Sequence, residues 1–266
     1  MKYAEPLLSV LMLCMTVIFM MPTSLLAGQN DVEDYTVDQI LALVGETYGR
    51  ISSAKGTVSR VAEIDDDAPA RFEGEFFMKA SGEMLFRYSS DPEREIGFDG
   101  TKFRIYFPGD DVGYYTDTSE LSFAERFVLG SGPYIGNILE MYRDSHDLSI
   151  ANYFEGRYII KASSQETLGA YVLIGVSPGS WTVSGIEQYD VQNRLIRQTR
   201  YLEFERLDDT VFFPKTIEIS TLQKDKIIIE TTYFRDITLN GTINNKIFTI
   251  TGSKKTDWRE RPFMTR

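Results

Sequence analysis

Residues 70–108 read ARFEGEFFMKASGEMLFRYSSDPEREIGFDGTKFRIYFP. Their period is two. Phe72, Gly74, Phe76, Met78 and Ala80 fall on one side, and Arg71, Glu73, Glu75 and Lys79 on the other, with Phe77 as the exception. Met84, Phe86 and Tyr88 then oppose Glu83 and Arg87, and Phe103, Ile105 and Phe107 oppose Lys102 and Arg104. Successive side chains of a strand point to opposite faces, so each run is a strand with one apolar and one polar face. The separators Ser81-Gly82, Ser90-Asp91-Pro92 and Asp99-Gly100 have turn chemistry, and Asp-Gly between apolar runs is a strong hairpin signal. Consecutive hairpins make an antiparallel sheet. Its bulky, polarizable face admits two readings: an ordinary core beneath helices, or a concave pocket in which Met and Phe adapt to a flexible ligand.

Upstream, Thr36 and Gln39 form a T-x-x-Q capping box, and Val37, Ile40, Leu41, Val44, Tyr48 and Ile51 follow at helical spacing, which predicts a helix over 37–52. Strand spacing begins at 56–64 and continues downstream through 112–116. Residues 119–129 and 134–143 are helix-like, separated by Gly130-Ser131-Gly132-Pro133. Alternation returns over 147–154, 157–163, 170–177, 181–191, 195–206, 212–222 and 226–237, with 243–251 as a final candidate strand. Residues 252–266 read as a polar tail. The expected architecture is α+β and mainly antiparallel, one sheet of about eleven strands with helices on one face; a sheet that large tends to curl.

The 266-residue chain has a net charge of −11, which argues against a nucleic-acid partner. Residues 1–27 have the pattern of a secretory signal: Lys2, an apolar run from Leu7 to Met21, then Leu25 and Ala27 before Gly28. The run is shorter than the ~20 residues a spanning helix needs, so cleavage near Ala27 is expected over a retained anchor. The one cysteine, Cys14, lies inside that run after Leu13, which does not suit lipidation, and leaves no cysteine for disulfides or thiol chemistry after cleavage. The organisation expected is a signal over 1–27, one domain over 28–251 and a tail over 252–266.

Catalytic and metal readings are thin, and no enzyme activity and no cofactor or metal are expected. His146, the one histidine, sits in Asp144-Ser145-His146-Asp147, but sequence neighbours rarely converge on one reacting atom and no G-x-S-x-G elbow accompanies it. Asp65 to Asp67, Asp110-Asp111 and Asp208-Asp209 lack the spaced oxygens of a calcium loop and read as solvated turns. Gly130, Gly132 and Gly136 have the wrong spacing for a dinucleotide fingerprint. Asn240-Gly241-Thr242 fits a glycosylation sequon but also a plain turn.

The ordered set in residues 70–108, a Gly within a strand, aromatic-aliphatic-Lys, a turn, aromatic-x-aromatic, Pro, Asp-Gly and an aromatic strand ending at Pro108, resembles the N-terminal half of the LolA-like family of outer-membrane lipoprotein carriers. The likeness is clearest over 37–108; beyond that the order of elements agrees, and Phe212-Phe213-Pro214-Lys215 looks like the start of a closing hairpin. The resemblance implies an incomplete, half-open β-barrel with helices as a lid over an apolar cavity for lipoprotein acyl chains. It implies a periplasmic location, and as partners acylated lipoproteins, an inner-membrane lipoprotein-releasing transporter and an outer-membrane acceptor. By resemblance, Phe76, Met78, Phe86 and Tyr88 face the cavity, and periodicity adds Phe72, Met84, Phe103 and Ile105 to that side. Ile40, Leu43, Leu121, Phe127, Ile138 and Leu139 would form the lid. Two features depart from the pattern: Ala80 and Ser81 stand where enterobacterial carriers have Arg-Pro, and the chain is longer. Both leave room for a periplasmic lipid-sensing or lipoprotein-sensing domain on the same scaffold. A cell-envelope hydrolase would need a catalytic group that the sequence does not offer.

Overall fold

In the computed structural model, which describes residues 35–64, 68–119, 138–143, 145–207, 211–223 and 226–261, the alternating runs become strands at almost the expected bounds. They are β1 (Ser53–Ile64), β2 (Ala70–Lys79), β3 (Met84–Tyr88), β4 (Arg94–Phe98), β5 (Lys102–Phe107), β6 (Val112–Asp117), β7 (His146–Phe154), β8 (Arg157–Ser164), β9 (Tyr171–Ser177), β10 (Thr182–Tyr189), β11 (Leu195–Arg206), β12 (Phe212–Gln223), β13 (Lys226–Leu239) and β14 (Asp257–Glu260). All fourteen belong to one sheet, in the order β14-β6-β5-β4-β3-β2-β1-β13-β12-β11-β10-β9-β8-β7. Two meanders, β1 to β6 and β7 to β13, are joined by the antiparallel pairing of β1 with β13. The sheet is not closed, since β14 and β7 are its edges.

Fourteen strands replace the expected eleven or so. The supposed tail adds one of these strands, and the long β1 and β13, of 12 and 14 residues, splice the two meanders into one ladder. Residues 257–260 are not tail: β14 runs parallel to β6, with Trp258 opposite Gly113. A Cβ on Gly113 would lie 2.4 Å from the Trp258 ring, so only glycine lets the indole lie flat on β6. Nor is 243–251 a strand. A 3₁₀ turn at Asn245–Phe248, capped by Asn244, carries Ile243, Phe248 and Ile250 onto Leu85, with Phe77, Tyr106 and Trp258 at the margin. This explains why Phe77 breaks the alternation. It faces outward, and the returning C-terminal segment covers it.

The first helix, α1 (Val37–Tyr48), begins at the capping box: the Gln39 amide N–H donates to Thr36 Oγ1 at 3.3 Å and the Thr36 N–H to Gln39 Oε1 at 2.7 Å. It is shorter than the spacing suggested. It ends at Gly49, and the Ser52 N–H is taken instead by Asn240 Oδ1 at 2.7 Å, which ties the chain to the end of β13. Asn240 therefore serves as a turn residue, with φ 57°. A six-residue helix, α2 (Ile138–Arg143), precedes β7; Leu121, Phe127 and the rest of the expected helix pair lie outside the described residues. No helix of the described residues is long and apolar enough to cross a membrane.

Candidate functional site: the inner face of the sheet

The register places most of the expected residues on one surface. Met78 pairs with Met84, Phe76 with Phe86, and Gly74 with Tyr88 between β2 and β3. Phe86 then lies opposite Ile96, and Ile96 opposite Ile105; Phe98 lies opposite Phe103. Directly paired residues point the same way, so Phe76, Met78, Met84, Phe86, Tyr88, Phe103 and Ile105 share the inner face. Phe72 joins them through its contact with Tyr88, ring centroids 5.9 Å apart. Gly74 is what lets β3 come close: a Cβ there would sit 1.9 Å from the Arg87 carbonyl.

These residues are not equally placed. Phe76 is 0% exposed and its ring meets Phe234 edge-on at 4.8 Å and Phe213 at 6.4 Å, so it belongs to an aromatic cluster where the two meanders join. Phe72, Met78, Phe86, Tyr88 and Phe103 are also buried, with Phe86 stacked on Tyr88 at 6.2 Å. Met84 and Ile105 are half-buried, and Ile105 borders a surface groove with Phe107, Val112 and Tyr114. Of the lid residues, Ile40 and Leu139 are fully buried and Leu43 half-buried; Ile138 opens α2. Both helices pack toward the second meander, α1 across β7 and β10 and α2 on β7. The Tyr48 hydroxyl accepts the Val183 N–H at 3.1 Å, and Arg143 of α2 reaches Asp38 of α1 at 3.5 Å. Burial pushes the Tyr48 phenol up to about 12, against the lowering effect of that hydrogen bond.

Sequence reasoning missed a polar group on the same face. Arg60 of β1 lies opposite Phe72 and is 8% exposed; its Nη2 pairs with the Glu230 carboxylate of β13. Burial works against the Arg60 charge, but Glu230 and the neighbouring Tyr88 outweigh it and hold the guanidinium above its ordinary range. Arg94 lies opposite Tyr88, and its guanidinium carbon sits over the Phe72 ring, 3.6 Å from the centroid. Arg197 of β11 and the buried Tyr201 and Tyr142 complete this region. A signal was present: Arg60 falls between Val58 and Ala62 on the apolar side of its strand, and Glu230 between Ile228 and Thr232. Such residues in a strand's apolar phase are rare unless paired.

Three of the residues weighed for catalysis or metal binding have local contacts. His146 is half-buried, its Nδ1 2.9 Å from Ser145 Oγ and its ring edge-on to Tyr142, and burial lowers its pKa. Asp147 is engaged by Gln165 Nε2 at 2.9 Å. Asp111 accepts hydrogen bonds from Ser253 and Thr256 at 2.8 and 2.9 Å, fastening the C-terminal segment beside β6. Asp65 to Asp67, Asp208-Asp209 and Gly130 to Gly136 lie outside the described residues.

No protein-family model and no curated protein matches the chain. Solved structures do. A LolA superfamily protein from Nitrosomonas europaea superposes with a TM-score of 0.56 at 17% identity, over 81% of this chain and 98% of that one. A DUF1329 family protein from Desulfovibrio piger gives 0.59 at 11% identity, over 80% and 97%. An outer-membrane lipoprotein-sorting protein domain from Vibrio parahaemolyticus gives 0.56 at 9% identity, over 78% and 95%. The fold is LolA-like, as the pattern in residues 70–108 implied.

Proposed function

We propose that this LolA-like chain is an exported, non-enzymatic carrier that holds the acyl chains of lipoproteins against the inner face of its first meander and moves them through the periplasm. One observation carries the reading: β2 to β5 present a continuous inner surface of Phe, Met and Tyr, with Met84 and Ile105 left half-buried. It sits on a fold shared with a lipoprotein-sorting domain. Each acyl CH₂ withdrawn from water is worth ~0.8 kcal/mol, so a lipoprotein will not cross an aqueous space unescorted. A carrier without an energy source must also let go. Thioether and aromatic side chains adapt to irregular chains at modest affinity, and transfer to a tighter acceptor follows from differential binding. In this reading Ile40, Leu43 and Leu139, on helices that rest on the second meander, belong to the lid that the resemblance implies. An inner-membrane releasing transporter supplies the cargo and an outer-membrane acceptor receives it.

The test is a variant that spoils the surface without emptying the core. Ile105→Glu places a charge at a half-buried position, where it stays hydrated in the empty protein but opposes an acyl chain. The expected result is at least tenfold weaker binding of an acylated lipopeptide with a melting temperature within a few degrees of the parent. Unchanged binding would remove β5 from the site. If acylated cargo is never bound by the parent, the sensing role on the same scaffold takes precedence.

A further inference from the structure

Acyl-chain burial does not account for the charges at the junction of the two meanders. Two guanidinium groups, Arg60 and Arg94, act on one another there, Arg197 acts on Arg60, and the Glu230 carboxylate attracts all three. Arginine does not deprotonate in proteins, so Arg60 and Arg94 keep two positive charges beside the one Glu230 carboxylate at any working pH. Burial first, and repulsion by Arg60 second, hold the Arg94 guanidinium below its ordinary range. Arg94 makes no ion pair among the described residues, and its Nε has no hydrogen-bond partner; it is held by stacking on Phe72. The Arg60 Nε, on a residue 8% exposed, is likewise without a partner, and the buried Tyr88 hydroxyl lies against the Arg60 guanidinium. Buried donors are normally satisfied, and a surplus of buried positive charge is costly unless an anion completes it.

The direction away from these donors is apolar. Arg94 pairs with Tyr88, and the next inward pair along the same two strands is Phe86 with Ile96. A ligand whose oxyanion met Arg60, Arg94 and Tyr88 would therefore run its remainder along the aromatic surface. We infer that Arg60, Arg94 and Tyr88 form an oxyanion subsite, and that the chain takes amphiphiles with a phosphate or carboxylate head and an acyl tail. This rests on the proposal that the inner face binds acyl chains, and adds the charge of the head group as a second determinant. Charge-assisted hydrogen bonds from a guanidinium fork suit either oxyanion.

The experiment is calorimetric titration of the purified full chain with three probes: lauryl phosphate below its micellar concentration, neutral monolaurin, and inorganic phosphate. Lauryl phosphate is expected to bind at least tenfold more tightly than monolaurin. Arg94→Gln should weaken lauryl phosphate binding at least tenfold more than it weakens monolaurin binding, because the guanidinium meets only the charged head. Tyr88→Phe, which removes one oxygen, should reduce the preference severalfold. Equal affinity for the two amphiphiles overturns the subsite while leaving acyl binding intact. Equal loss of both in Arg94→Gln overturns it too, since the residue then acts through packing. Inorganic phosphate binding as tightly as lauryl phosphate overturns the assignment to an amphiphile. Binding of neither amphiphile overturns both the subsite and the carrier. A preference for lauryl phosphate with no capture of acylated lipoprotein upholds the subsite and removes the carrier.

Discussion

The two meanders use one strand pattern with different residues. The inner face of β2 to β5 is built mainly from Phe, Met and Tyr, whereas that of β8 to β12 is mostly β-branched aliphatic, with Ile160, Val172, Ile174, Val176, Ile186 and Ile217 around the buried Tyr158 and Tyr201. Val and Ile are stiff at χ1 and lock into one arrangement, while Met and aromatic side chains re-pack more readily. The helices follow the same division, since α1 and α2 pack on β7 and β10, toward the aliphatic side. The outer faces differ in the opposite sense. The C-terminal segment covers Leu85 and Phe77 on the first meander, while Ile227 stays 53% exposed on β13 of the second. Under the proposed function the second meander is the scaffold and the first the adaptable side, with the arginine group between them.

The sharpest way to break this comparison is to thin each side in turn. Ile174→Ala removes a fully buried aliphatic group from the scaffold and should cost about 3 kcal/mol in chemical denaturation, while acyl binding per folded molecule stays unchanged. A loss of binding with retained stability would place the site on the wrong meander. Trp258→Ala detaches β14 from Gly113 and Tyr106, on which the indole stacks at 6.1 Å, and should cost about 1–2 kcal/mol. It should raise hydrogen exchange in β6 and leave β8 to β12 protected; exchange rising in both meanders would deny that the strap serves the first alone.

The smallest effect concerns the β4–β5 hairpin. Burial raises the Asp99 pKa, but hydrogen bonds from Arg104, from the Lys102 and Thr101 amides and from the Thr101 hydroxyl outweigh it and bring it to about 2. The folded value lies below the ordinary carboxylate value of about 4. The stabilisation is therefore complete above about pH 4 and is lost as pH falls toward about 2. Partial solvent screening of the group reduces it to about 1 kcal/mol. Asp99→Asn should show that deficit at pH 7 and close it near pH 2; a deficit independent of pH would assign the loss to turn geometry instead.

Strand bounds were legible because alternation is local: Phe72, Phe76, Met78, Met84, Phe86, Tyr88, Phe103 and Ile105 share one face of the first meander. Phe77 and Leu85 were not legible as covered positions, because their partners Ile247, Phe248 and Ile250 lie well over a hundred residues downstream. The four-residue β14 has no period of its own, and it exists because Gly113 offers a flat seat for Trp258. The helix pair was legible only as far as α2, within the described residues. Arg60 and Glu230 carried a signal as charged residues in an apolar phase, yet their pairing depends on β1 meeting β13, a contact that no local pattern encodes.

The most direct measurement is a release assay. Inner membranes carrying labelled, acylated lipoprotein and its export machinery are incubated with the purified protein and pelleted, with the same lipoprotein in deacylated form as the control. The account predicts a one-to-one soluble complex that forms with the acylated cargo and disappears with the Ile105→Glu variant. Membranes that retain all of the acylated lipoprotein, or a complex that forms equally well without acyl chains, would contradict it.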